Sequence, residues 1–447
     1  MTCAAFALLL FAAGARAAQS SGNPAPGPAT RTAQSAAPRT GAPVTPPNAV
    51  ITAYTLPPPL YRKARNLSRI FFAFDLFASL YALLVLWLIL HWKIAPKYRD
   101  WAERVFRRRT VQAVIFAPLL LLTIDVFELP VGIFEQRELR RYGLSIQGWA
   151  SWSADWGKQE ILTLIGGTIV VAILYAIIRK SPRRWWFYFW LAVLPIAAFL
   201  IFLQPIVVDP LFHKFEPLQQ KDPQLTAQLE KLAQHAGVDI PPSRMYWMEA
   251  SAKSNELNAY VTGLGSSKRI VVWDTTIAKM TTPQIVFVVG HEMGHYVLHH
   301  IPKGAAILAA GSFFAFLLGY ACIGWMLRRW GESWRIRGVD DWASLPALML
   351  VMGILSVISD PISNAVSRHF EHQADQFGLE VTHGVTPNSG EVAAQSFETI
   401  GIVDLSDPRP SRIQIMLTYD HPSLPQRIRF ALTYDPWARG GHGEFVH

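Results

Sequence analysis

Six runs of apolar residues, each close to the ~20 residues a helix needs to cross a bilayer, limit what this chain can become. They are Ile70 to Trp92, Thr110 to Phe134, Ile161 to Ile178, Trp185 to Val208, Ala305 to Leu327 and Leu345 to Val366. Backbone in hydrocarbon must satisfy its own hydrogen bonds, so runs of this length read as helices. The expected fold is therefore mainly α, a polytopic membrane protein. With 51% hydrophobic and 16% charged residues, the chain is too apolar for an ordinary soluble enzyme. The net charge of +9 lies largely in links between the runs, where it reads as a topology signal. No nucleic acid is expected as a partner; membrane lipid is. Cys3 and Cys322 both sit in apolar segments, which excludes a disulfide framework or a cysteine metal site. Asp75, Asp125 and Glu128 fall inside the first two runs. Such acids face a bundle interior or a water-filled cavity, or else cap helices near the interface.

The runs divide the chain into six parts. Residues 1–18 are a signal-like segment or anchor, with an apolar stretch from Ala4 to Ala13 and a small-x-small site at Ala15-Arg16-Ala17. No Lys or Arg precedes the stretch, so an uncleaved anchor is the alternative. Residues 19–60 are a disordered linker, rich in Ala, Pro, Ser, Thr and Gly from Gln19 to Pro47. Four spans follow over 61–208, a first soluble part over 209–303, two spans over 304–366, and a second soluble part over 367–447. In the first soluble part an amphipathic helix is expected over Pro223 to Gly237. Strands are expected at Arg244 to Met248, Leu257 to Thr262 and Arg269 to Trp273 as a small antiparallel sheet. A sheet edge of this kind can take a peptide as an added strand.

The stretch that carries chemistry is His291-Glu292-Met293-Gly294-His295. Two histidines four apart stack on one helix face and can reach one ion. Glu292 stands where it can hold a metal-bound water. This is the H-E-x-x-H pattern of zinc hydrolases, and the apolar run from Pro283 to Gly290 buries its helix. A catalytic zinc needs a third protein ligand and an open position. A histidine six residues past the second is excluded, because Ile301 is there. His299 and His300 read as histidines at a helix end. The cluster Arg368-His369-Phe370-Glu371-His372-Gln373-Ala374-Asp375 offers a better source. A helix there sets Glu371 and Asp375 one turn apart on one face. Glu371 can bind metal and Asp375 can accept a ring N–H from a ligand histidine. His372 competes for the ligand role, and a solvated charged turn at the end of a span is the plain alternative.

Together these residues resemble the integral-membrane zinc peptidases typified by the type-1 CAAX prenyl protease. That family pairs H-E-x-x-H with a later helix bearing E-x-x-A-D, as in Glu371-His372-Gln373-Ala374-Asp375. Further likenesses are Ser254-Asn255-Glu256-Leu257-Asn258-Ala259-Tyr260, Arg269-Ile270-Val271-Val272, Asp420-His421-Pro422-Ser423-Leu424 with Arg427-Ile428, and Pro210-Leu211-Phe212-His213-Lys214-Phe215. The resemblance implies one zinc ion held by His291, His295 and Glu371, with Glu292 as general base. It implies that His421 assists the transition state and that Asn258 and Ala259 lie on the substrate-binding strand. It also implies a zincin-like domain within a ring of membrane helices around a large chamber. The expected substrate is a peptide or lipidated peptide.

Two other readings stand beside this one: a membrane quality-control protease without prenyl selectivity, and a transporter or scaffold with a structural metal site. Topology signals oppose each other. The basic links Lys93 to Arg109 and Arg179 to Arg184 outweigh Arg137, Arg140, Arg141 and Lys158, which puts the zinc domain outside the cytoplasm. The family resemblance puts it on the cytoplasmic face.

Overall fold

The computed structural model describes residues 44–45, 50–263 and 267–446. The signal-like segment and most of the linker lie outside the described residues. The described piece of the linker is packed chain. Thr45 is buried and its hydroxyl accepts from Thr399 at 2.8 Å. Tyr54 is also buried, and its hydroxyl donates to the Ser406 carbonyl at 3.0 Å. The first helix among the described residues begins at Pro58, so the expected linker boundary at residue 60 is corrected. Proline there has φ pre-set and lacks the N–H that a first turn leaves unpaired.

The first half is helical: α1 (Pro58–His91), α2 (Ile94–Val105), α3 (Arg109–Tyr142), α4 (Trp149–Lys180) and α5 (Trp185–Leu203). After α5 and a π turn, Gln204–Val208, come β1 (Phe215–Pro217), α6 (Pro223–His235), β2 (Met245–Met248), β3 (Ala259–Thr262) and β4 (Arg269–Trp273). Then follow α7 (Thr282–Val297), α8 (His300–Trp330), α9 (Leu345–Thr382), α10 (Ser389–Val403) and α11 (Leu424–Thr433). Among the described residues five helices, α1, α3, α4, α8 and α9, are long and apolar enough to cross a membrane; α5 is a shorter apolar helix. At 34 residues, α1 and α3 measure about 51 Å. That exceeds the ~30 Å hydrocarbon core, so their ends stand clear of the bilayer.

The sheet order is β1-β2-β4-β3. β1 and β2 are antiparallel, β2 and β4 parallel, β4 and β3 antiparallel. The sheet is therefore mixed, which corrects the antiparallel expectation. β4 lies between β2 and β3 and runs the same way as β2. Among the described residues β3 is an edge strand, paired with β4 on one side.

Of the hydrophobic clusters among the described residues, the two largest serve two tasks. One knits the membrane helices through Phe116, Tyr175, Phe189 and Trp342. The other packs α6 and the sheet onto α7 and α9 through Leu229, Val272, Val289, Met293 and Phe377. The expected divisions at 303/304 and 366/367 are not breaks, since α8 and α9 run unbroken across them. One 38-residue helix, α9, is apolar at its start and carries Glu371 and Asp375 near its end.

Candidate active site

α7 starts from a full capping box: Thr281 accepts from the Gln284 backbone, and Gln284 reciprocates. Its apolar face, with Ile285, Val286, Phe287 and Val289, is buried. This leaves Gly290 and Gly294 to meet α9. A Cβ on Gly294 would lie 3.0 Å from the Phe377 Cβ and 3.2 Å from the Ala374 Cα. A Cβ on Gly378 would lie 3.1 Å from the His291 backbone nitrogen. The two helices touch backbone to backbone because small residues line the crossing, and that contact brings the imidazoles to the carboxylate.

His291, His295 and Glu371 each place one ligand-type atom within 4.8 Å of the other two. His291 Nε2 is 3.2 Å from Glu371 Oε2, and His295 Nε2 is 3.3 Å from Glu371 Oε1. Glu371 Oε2 is buried and makes no hydrogen bond, though imidazole nitrogens of His291 and His421 stand 3.2 and 3.1 Å away. The ligand-type atoms crowd together: His295 Nε2 also lies 3.3 Å from His291 Nε2. A set of two neutral imidazole nitrogens and one carboxylate oxygen suits a divalent metal of the zinc type.

His291 has an outer support. Its Nδ1 lies 2.9 Å from Asp375 Oδ1. Asp375 is itself held by Arg427, whose Nη2 donates to Oδ1 at 2.6 Å and whose Nε donates to Oδ2 at 2.9 Å. This fork fixes the carboxylate and, through it, the ring. Burial pulls the His291 imidazole down; Asp375 and Glu371 overcome that and push it up to about 9. Burial raises the Glu292 carboxyl, against the pull of His291 and His295. His421 Nδ1 donates to Asp420 at 2.8 Å. Desolvation lowers its imidazole, and the Asp420 and Glu371 carboxylates more than offset this, raising it to about 10.

The remaining expected residues fall in two groups. Asn258 leads into β3; its N–H donates to Thr276 Oγ1 at 2.9 Å, and its carbonyl accepts from Trp273 N–H at 3.2 Å. Ala259 is buried as the first residue of that edge strand. His372, the competing ligand, packs against the Phe430 ring with centroids 4.3 Å apart. It is outside the ligand-type group found among the described residues.

The profile described as Peptidase family M48 matches residues 219–435. The profile described as CAAX prenyl protease N-terminal, five membrane helices, matches residues 44–214. The metalloprotease YhfN of Bacillus subtilis is 35% identical over 342 residues, covering 76% of this chain and 77% of that protein. The chain belongs to peptidase family M48. A CAAX prenyl protease 1 homolog of Arabidopsis thaliana is 28% identical to this M48 peptidase over 68% of the chain and 70% of its own length. The fold matches the crystal structure of S. mikatae Ste24p at a TM-score of 0.73, with 22% identity, over 96% of this chain and 98% of that one. This M48 peptidase is an integral, multi-pass membrane metalloprotease of the CAAX prenyl protease family.

Two parts of the peptidase's site carry no local sequence signal. Arg427 lies 52 residues from Asp375, so no spacing connects them; only the likeness around Asp420-His421-Pro422 points to that segment. The glycine crossing was equally hidden, because a glycine within a helix pattern does not say which neighbour it admits.

Proposed function

We propose that this peptidase is a zinc endopeptidase in which His291, His295 and Glu371 hold one ion per chain. The observation that carries the proposal is the convergence of their ligand atoms, with Asp375 turning the His291 Nε2 lone pair inward. When bound, the ion acidifies a water and polarises the scissile carbonyl. Glu292 takes the proton from that water and later delivers it to the leaving amine. A carboxyl raised by burial suits both steps near neutral pH. His421, protonated beside Asp420, donates a hydrogen bond to the tetrahedral oxyanion. The open edge of β3, which starts at Ala259 and is anchored by Asn258 before it, pairs with the substrate as an added strand and presents its carbonyl to the site.

The substrate we propose is a membrane-associated peptide of the lipidated, prenyl-type class. The names of the plant and fungal relatives support that class. General proteolysis without lipid selectivity is the second reading. It is favoured by the bacterial relative, more similar than the plant one and named only as a metalloprotease. Cleavage of matched farnesylated and plain peptides by purified protein, with and without a chelator, separates the readings. Chelator-blocked cleavage with a clear preference for the farnesylated peptide is expected. Equal rates on both would move the function to the second reading, and cleavage untouched by the chelator would overturn the zinc mechanism.

A further inference from the structure

His300 stands five residues after His295. On an unbroken helix five residues rotate a side chain by about 140°, away from the face of His295. The chain breaks instead. α7 ends at Val297, and His299 adopts φ of 60°, a left-handed conformation uncommon for any residue but glycine. Its Nδ1–H donates to the Val297 carbonyl at 2.6 Å. α8 then starts at His300, which folds back until its Nδ1 lies 3.1 Å from the Nδ1 of His295. The other nitrogen, Nε2, lies 3.1 Å from the Gln373 amide oxygen, two residues beyond Glu371 on α9. The ring is buried and lies flat on Phe370, centroids 4.6 Å apart and planes 10° apart.

These partners dictate where the protons sit. An amide oxygen only accepts, so His300 carries its proton on Nε2. The Nδ1 of a neutral His300 then only accepts, so His295 carries its proton on Nδ1 and donates it. What remains on His295 is an Nε2 lone pair, facing the Glu371 carboxylate at 3.3 Å. The same assignment follows from the opposite end. An Nε2 that binds metal must be unprotonated, which forces the proton to Nδ1, an acceptor at His300 Nδ1 and a second acceptor at Gln373.

We infer that His300 is a positioning residue which, with Gln373, fixes the tautomer and ring angle of His295 for metal binding. It does for the second ligand what Asp375 does for the first, without adding charge. The left-handed turn at His299 is the backbone device that delivers it. This inference rests on the reading of His291, His295 and Glu371 as zinc ligands.

The test is zinc affinity of the full-length protein in detergent, measured by competition with a chromophoric chelator, with the visible spectrum of the cobalt form beside it. His300→Leu should weaken zinc binding by about 10- to 100-fold, the usual cost of losing such a support, and alter the cobalt bands. His300→Asn places an amide oxygen where Nδ1 was and should recover most of the affinity and the wild-type bands. If His300→Leu binds zinc as tightly as wild type, the inference is overturned while the ligand reading stands. If His300→Asn is as weak as His300→Leu, the ring serves only as packing against Phe370, and the inference is again overturned. A wild-type protein that binds no zinc would overturn the ligand reading itself.

Discussion

Asp375 is almost wholly buried, and it faces an imidazole on one side and a guanidinium on the other. A carboxylate so placed is stable only while both partners remain. Arg427→Leu removes the fork and leaves a buried carboxylate with only the His291 imidazole beside it. The expected cost is about 3–5 kcal/mol of stability, with zinc affinity falling about 10- to 100-fold as His291 loses its orientation. Thermal unfolding and a zinc titration check both. Glu292→Gln should act differently: metal binding unchanged, turnover lower by at least about 100- to 10,000-fold, read from peptide cleavage beside metal content. The two kinds of residue also differed in legibility. His291, Glu292 and His295 declare themselves because their relation is local, fixed by helix period. Arg427 and His300 do not, because one depends on a contact across 52 positions and the other on a backbone angle at His299.

Between α7 and α9 the deciding feature is the absence of side chain. Gly378→Leu would push its branch into the His291 backbone, where even a Cβ comes within 3.1 Å. Overpacking of this kind costs typically about 1–3 kcal/mol. Here it also separates Glu371 from the histidines, so metal content and unfolding midpoint should fall together. A second junction ties α4 to the catalytic part. Lys253, fully buried, lies 3.2 Å from Asp155 and donates to the Phe212 carbonyl at 3.3 Å. Burial lowers its ammonium group against the pull of Asp155, leaving it at about 7. A lysine in the unfolded chain titrates near ~10.4. Between those values the unfolded chain holds more protons, so this group stabilises the fold increasingly as pH rises. The change in unfolding midpoint from pH 7 to pH 9 should be more positive in wild type than in Lys253→Met, which isolates this group from the raised His291 and His421, whose contributions fall over the same range. At this scale the helix bearing Glu371 and Asp375 was readable from their i, i+4 spacing. Its continuity with the last span was not, because the change from apolar to polar near Val366 looks like an end while the backbone simply continues. β2, β3 and β4 were readable from local apolar and aromatic runs, but β1, three residues long, carries no pattern and was not; the strand order depends on where β4 returns, which no local run encodes.

The molecule as a whole is polarised in charge. The links from Lys93 to Arg109, Arg179 to Arg184 and Arg328 to Arg337 all join the ends of helices remote from the catalytic part. There they interlock: Arg99 with Asp341 at 2.6 Å, Arg337 with Glu103 at 2.7 Å, and Arg179 with the Asp340 carbonyl at 3.3 Å. Basic ends of membrane bundles face the cytoplasm. Alkaline phosphatase fused after His447 should therefore be active and a fluorescent protein there dark. The reverse would give the orientation the family resemblance implies. The membrane class and the two metal-binding motifs were open to inspection in the chain because both are short-range patterns. Asp375 behind His291 was also readable from its spacing, whereas the mixed sheet, the glycine crossing and the contacts of Arg427 and His300 are products of packing and came only with the fold. All of it serves one claim, that two imidazoles and a carboxylate from distant helices hold a single ion. Elemental analysis of purified wild type and Glu371→Ala tests it most directly. The expected result is about one zinc ion per chain in wild type and almost none in Glu371→Ala; equal zinc in both proteins would contradict it.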